Sequence, residues 1–273
     1  NGIAGHNTAI IGAGAGGLNF AIREADVNDV PTAMVTRAFN TGYGFGNVSG
    51  RWLANSATVD RSYNANTLTA NGSITEAVVE SSAELKGYSG WSSSNNLTRA
   101  SDADWDVIGT GSIYMSCWMK NDGNSAAEWL MGFSNTGQTI RFQIRMESDG
   151  TLSCIDDGAT ATVNLITTSP LDDGVWHKID KVKVSSTERY LYIDGVLVHS
   201  LTTDSGSLSS SGNLLFAIGV AAHDGGSGPA TTTTLSLAHL SVFEASKLAP
   251  SAAQIKAMYE AEKGLFVASA KCL

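Results

Sequence analysis

Positive charge is what this chain has least of: 17 Lys and Arg stand against 26 Asp and Glu, a formal net charge of −9. Phosphate recognition needs clustered cations, and no basic stripe interrupts the acid, so the chain is read as binding no nucleic acid. Cysteine is nearly as scarce. Cys117, Cys154 and Cys272 are an odd number without metal-ligand spacing; they read as buried or free thiols, with a Cys154–Cys272 bridge as the pairing left open. No apolar run reaches the roughly 18 residues of a spanning helix, so no membrane insertion is expected, and no signal peptide is visible. The sequence opens on Asn1 rather than Met, which reads as a processed or trimmed piece of a longer protein. Hydrolytic signatures are missing as well. There is no H-E-x-x-H and no G-x-S-x-G, nor an E-x-D-x-x-E run that would set acid and nucleophile about 5 Å apart in one groove. The expectation is therefore a non-enzyme without a cofactor.

What is abundant is the vocabulary of strands and turns. Hydrophobic residues make up 42% and charged ones 16%, leaving a polar remainder of Ser, Thr, Asn and 29 Gly; Thr suits strands, whereas Gly and Asn supply the positive φ of tight turns. The length is sufficient to bury a core without disulfides. Period-2 alternation is clearest from residue 111 onward. In 112–120, Ile113, Met115, Cys117 and Met119 share one face and Tyr114, Ser116, Trp118 and Lys120 the other. In 141–147, Phe142, Ile144 and Met146 oppose Arg141, Gln143, Arg145 and Glu147, a strand with one wet face. Leu214, Phe216, Ile218 and Val220 alternate again, and 234–243 is apolar enough for a buried strand. Shorter fragments such as 73–79, after a turn at Asn71-Gly72, read as edge strands. One helix is predicted: Ser251 caps it with Gln254 three residues on, Ile255, Met258 and Tyr259 form the apolar stripe, and Gly264 ends it, on the edge of the strand layers. The pattern predicts an all-β fold, an antiparallel β-sandwich with one short C-terminal helix.

The first residues carry a decoy. Gly12, Gly14 and Gly17 satisfy G-x-G-x-x-G after Ala9-Ile10-Ile11, but a dinucleotide site also needs a helix opening at the third glycine and an acid about 20 residues further on a parallel strand. Residues 18–22 alternate like a strand instead. The stretch is read as a hairpin of residues 8–11 and 18–22 joined by a glycine turn.

Four ordered stretches resemble the laminin-G/concanavalin-A-like superfamily. Residues 111–120 are similar to its early strand, with Trp118 and Lys120 at the family's tryptophan and lysine; Asp173-Gly174-Val175-Trp176-His177-Lys178 is similar to its D-G-x-W-H turn; Tyr190-Leu191-Tyr192-Ile193-Asp194-Gly195 resembles its L-Y-I-D-G hairpin; residues 237–243 and 248–255 resemble the last strand and following helix. The resemblance implies a jelly-roll sandwich over residues 46–265, with 266–273 as a tail. It implies that Trp118 and Trp176 are core residues and that His177 belongs to the turn. Ala238 and His239 replace the acidic pair usual on the last strand, which argues against a family-type calcium site there. The run from Arg51-Trp52-Leu53-Ala54-Asn55-Ser56 through 90–99 also resembles bacteriophage tail or virion proteins in which such a domain follows a repeat-built β region. Residues 1–45 would then end the preceding β unit.

These resemblances imply a virion-surface or otherwise extracellular binding module for a host-surface glycan or receptor, in contact with other virion proteins and expected to be a homo-oligomer. Two alternatives stand beside it: a structural cap, oligomerisation or decoration domain, and a polysaccharide lyase or hydrolase with Arg141, Gln143 and Arg145 in its groove. For ligand contact, Arg141, Gln143, Arg145, Tyr190 and Tyr192 offer planar donors and aromatic surface on a sheet face. On the loop rim, Asp156, Asp157, His223 and Asp224 are polar residues of glycine turns, able to meet sugar hydroxyls or to hold calcium through oxygen ligands.

Overall fold

The structure is a computed structural model that describes residues 48–60, 65–100, 111–123, 126–135, 139–208, 214–222, 236–243 and 249–270. The hairpin and glycine motif expected before residue 45, Cys272, and the His223-Asp224 loop lie outside the described residues.

Fifteen strands form two antiparallel sheets among these residues. One sheet runs in the order β13 (Val196–Leu201), β12 (Arg189–Ile193), β11 (Trp176–Lys183), β6 (Ile113–Lys120), β15 (Ser236–Phe243), β4 (Lys86–Ser89), β3 (Thr75–Val78), with β1 (Val48–Leu53) also paired to β15. The other runs β10 (Thr162–Ile166), β9 (Leu152–Asp157), β8 (Arg141–Met146), β7 (Glu128–Ser134), β14 (Leu215–Ile218), β5 (Asn96–Arg99), β2 (Thr69–Asn71). The expected alternation builds the space between them. Ile113, Met115, Cys117 and Met119 of β6 meet Phe142, Ile144 and Met146 of β8 in one buried cluster, and each such fully buried side chain stabilises the sandwich by about 1.5–3 kcal/mol. Phe216 of β14 stacks on Trp52 across the layers at 5.1 Å and tilts against Phe133 at 4.9 Å. Gly219 then breaks the period at φ +78. A Cβ there would meet the Trp91 ring, and Val220, expected on the Phe216 face, instead joins Ala217 and Ala222 in a separate buried cluster.

The outer face of the eight-stranded sheet is not wet. Helix α1 (Ala252–Glu262) opens with the predicted capping box, Ser251 Oγ accepting from Gln254 N and Gln254 Oε1 from Ser251 N. It lies across the sheet rather than on its edge: Ile255 and Met258 pack with Leu53, Tyr114, Trp118, Val182 and Tyr192. Trp118 is therefore buried in this second layer, stacked 4.0 Å from Phe266, which opens the expected tail, and donates to Glu262 Oε2 at 2.6 Å. The helix ends at Glu262 and Gly264 sits inside a following 3-10 turn, Lys263–Leu265.

Period 2 also carries charges indoors. On β11, Lys181 points between the sheets, where its Nζ lies 2.5 Å from Asp156 Oδ1 and donates to Ile155 O at 2.8 Å; Arg189 Nε donates to the other Asp156 oxygen at 2.8 Å. Arg189 also donates to Ser186 O and Ser205 Oγ, both at 2.7 Å. Asp156, expected on the loop rim, is thus fully buried, because its two cations come from the facing sheet. Lys178 and Asp180 form a second buried pair at 2.5 Å beneath the helix, with Ser116 Oγ donating to Asp180 at 2.7 Å. Cys117 and Cys154 are free and buried, so the Cys154 bridge does not form; burial pushes both thiols up, Cys154 to about 12.

The two Asp-Gly turns of the family pattern are joined. Asp194-Gly195 takes two left-handed positions, φ 52 and 76, between β12 and β13, and His177 contacts Asp194 at 2.7 Å and Asp173 at 3.2 Å.

Two outcomes are expected. Asp156→Ala strands Lys181 and Arg189 without their shared anion, and unfolding in urea should show a loss of about 3–5 kcal/mol; an unchanged midpoint would refute the clamp. The His177 pKa is raised, chiefly by its hydrogen bond to Asp194. Its contribution is complete below the unfolded value near 6.5 and is lost as pH rises through the higher folded value. Melting from pH 5 to 9 should show that alkaline decline, and His177→Gln should flatten it.

Candidate functional site

The outer face of the seven-stranded sheet is built by neighbouring strands in register. Alternation turns Arg141, Gln143 and Arg145 of β8 outward. Pairing sets Asp157, Ile155 and Ser153 of β9 on one side of them and Ser134, Gly132 and Trp129 of β7 on the other. Arg141 donates from Nε and Nη2 to Asp157 Oδ2 at 3.0 and 2.7 Å, and Thr162 Oγ1 donates to Asp157 Oδ1 at 2.6 Å. Arg145 donates to Glu147 Oε1, from Nε at 2.9 Å and also from Nη2, while its guanidinium lies 5.1 Å from the Trp129 ring. Both arginine side chains remain reachable, at 23% and 28% exposure. Beneath them Trp129, Ile155 and Ala221 form a small apolar floor, and Thr162 and Asn164 of β10 are exposed at the border. The two ion pairs leave the patch electrically neutral, with planar donors and carboxylate acceptors side by side.

A family model of the concanavalin A-like lectin/glucanases superfamily matches residues 92–255. The chain belongs to this superfamily. Among solved structures, the superfamily fold here is similar to domain 4 of an extracellular arabinanase from Geobacillus stearothermophilus, determined with arabinotriose, at TM-score 0.60 and 16% identity over 79% of this chain and 99% of that one. It is also similar to the binding domain of Paraclostridial Mosquitocidal Protein 1 (TM-score 0.59, 11% identity, 78% of this chain, 52% of that one). The botulinum neurotoxin serotype G binding domain gives the same TM-score and identity over 78% and 51%. The chain spans about half the length of these two toxin domains. At these identities the likeness shows the fold. A search of curated proteins gave no match.

Within the superfamily sandwich, the nine expected contact residues separate. Arg141, Arg145 and Asp157 come together on the outer face. Gln143 shares their strand but is buried, its Nε2 donating to Ala222 O at 3.3 Å, because the chain after Gly219 is laid over this part of the sheet. Tyr190 and Tyr192 lie on the opposite outer face, under or beside the helix, since β12 belongs to the other sheet. They are neighbours on one strand, their ring centroids 6.2 Å apart. Tyr192 is buried, and the Tyr190 hydroxyl donates to Glu188. Asp156 has no surface. His223 and Asp224 lie outside the described residues. Trp176, expected in the core, is half-buried at the edge of the helix-covered layer.

Trp129, Thr162 and Asn164 were not expected. Trp129 was hidden by a bulge between Trp129 and Met131 that breaks the alternation of β7. Thr162 and Asn164 were legible as the exposed half of the alternating segment 162–166. For calcium, both rim carboxylates are already committed, Asp156 to Lys181 and Arg189 and Asp157 to Arg141. Among the described residues, no three His, Cys, Asp or Glu side chains gather to hold a metal ion.

Proposed function

We propose that the chain is a non-catalytic binding module that recognises a host-surface glycan, free or on a receptor, through the outer face of the seven-stranded sheet. The observation that carries this is the pair of partly exposed arginine–carboxylate couples, Arg141 with Asp157 and Arg145 with Glu147, the second set over Trp129. Each arginine keeps Nη1 outside its carboxylate bonds, and each carboxylate keeps acceptor capacity, so vicinal hydroxyls meet donors and acceptors at fixed spacing. Because the couples neutralise each other, the ligand need not bring charge. The likeness to an arabinanase domain determined with arabinotriose and to toxin binding domains supports the same reading. A place on a bacteriophage tail or virion appendage is part of the proposal and rests on the resemblance of residues 51–56 and 90–99. A lyase would need the groove residues free for acid–base work, whereas Gln143 and both arginines are held by partners.

One charge-assisted hydrogen bond contributes about 1.5–3 kcal/mol, so Arg141→Ala or Arg145→Ala should weaken glycan binding at least about tenfold with an unchanged far-ultraviolet spectrum. A glycan array and whole bacterial cells provide the readout. No saturable binding by the folded chain, or binding by both variants as tight as that of the unsubstituted chain, would overturn the assignment.

A second reading, a capping or oligomerisation domain of the particle, has one specific support. Val196, Leu197 and Val198 on edge strand β13 are 63%, 47% and 46% exposed, beside Ile166 on edge strand β10, an apolar strip of the kind that marks contact between chains. Light scattering should then show a self-associated species that Val198→Lys converts to monomer; a monomer at every concentration would sink it.

A further inference from the structure

A cleft of about 420 Å³ opens on the opposite side of the sandwich, where the end of α1 meets the β11 turn. Its walls are aromatic: Trp118, Trp176, Tyr259 and Phe266. Trp118 is sandwiched, 4.0 Å from Phe266 and 5.7 Å from Tyr259, each within about 20° of parallel, and Trp176 leans on Phe266 at 5.2 Å and 49°. Both indole N–H groups are spent inside the protein, Trp118 on Glu262 at 2.6 Å and Trp176 on Val79 O at 3.0 Å, so the rings are fixed before anything binds. The polar lining is Glu80 and Lys263. Glu80 is ion-paired to Lys120 at 2.7 Å and Lys263 to Glu260, all partly exposed, so the cleft, like the arginine face, carries no uncompensated charge. Its size falls in the range of about 300–1,000 Å³ typical of small-ligand sites.

We infer that this aromatic cleft is a second carbohydrate site, shaped for one neutral pyranose ring. The apolar C–H face of the ring lies against the half-buried Trp176 and Tyr259, and its hydroxyls take the free acceptor and donor positions of Glu80 and Lys263. A charged ligand would lose hydration against already neutralised partners, and an aliphatic segment would cover the remaining donor and acceptor positions of Glu80 and Lys263 without using them. Two sites on opposite faces make a single chain bivalent, which raises avidity for a repeating polysaccharide without any new contact. The inference extends the proposed glycan function to a different face and does not depend on the arginine couples.

The test uses the full chain labelled with 5-fluorotryptophan, titrated with neutral gluco-, galacto- and arabino-oligosaccharides to millimolar concentration. Trp176 and Trp129 signals are assigned from Trp176→Phe and Trp129→Phe. The expected result is a saturable shift of Trp176 that Lys263→Ala or Glu80→Ala weakens about fivefold or more, and that Arg141→Ala leaves in place. Lys263 and Glu80 are partly exposed, so these variants keep the fold even if Trp176→Phe does not. A shift of Trp129 alone would overturn the cleft and leave the arginine face standing; a shift of Trp176 alone would do the reverse. Silence from both would overturn both. A Trp176 signal moved by truncation after Ala270 and by no sugar would make the cleft a seat for the chain's own end, which also overturns the inference.

Discussion

The carboxylate of Asp156 is the point on which the two sheets agree. It belongs to β9 of one sheet and takes its cations from β11 and β12 of the other, so it ties the layers at one end of the sandwich as Trp52 and Phe216 tie them in the apolar middle. Its burial also decides the surface. With Asp156 turned inward, strand geometry turns Asp157 outward, beside Arg141. A one-residue slip of β9 would put Asp157 inside and unpair the arginine couple.

Such a clamp is an expensive way to gain stability, since removing two ions from water costs several kcal/mol each and apolar replacements often do as well. What it supplies is register. The two buried lysines respond differently to their surroundings: burial is the largest single influence on each and lowers the pKa, but for Lys178 the Asp180 carboxylate, with Glu262, outweighs it and the pKa is raised, whereas Lys181 shares Asp156 with Arg189 and its pKa is lowered. Raised Lys178 stabilises below the unfolded value of 10.5 and loses that contribution as pH climbs past its folded value. Lowered Lys181 does the opposite, gaining as pH rises from its folded value towards 10.5. Their alkaline effects therefore oppose each other.

What the sequence displayed was local. The capping box at Ser251 and Gln254, the Asp194-Gly195 turn and the alternation of residues 113–119 depend on neighbours along the chain, and all are present in the structure. What it withheld was the identity of the partner sheet. Alternation tells which side chains share a face; it does not tell that Arg141 and Tyr190 face opposite ways across the molecule, or that a helix covers the outer side of β6. Charge misled for the same reason. Asp156 read as a rim residue and is interior only as part of a set with Lys181 and Arg189 drawn from three strands. At the candidate site, the β8 arginines and Asp157 were legible, while Trp129 was masked by a bulge that no period reveals.

The use of the two faces follows from this division. The C-terminal helix covers β1, β6, β11 and β12 on the outer side of the eight-stranded sheet and leaves an aromatic cleft at its end, while the seven-stranded sheet keeps a polar, neutralised face. Neither surface offers long-range attraction. A net charge of −9 repels an anionic cell envelope, and screening confines that repulsion to about 8–10 Å at physiological salt. On the proposed reading, recognition must then come from contact-range hydrogen bonding and ring stacking, neither of which requires charge on the ligand. Individually weak contacts of this kind gain most from repetition, and two opposed faces on one sandwich, or several chains joined along the β13 edge, are the two ways this fold could provide it.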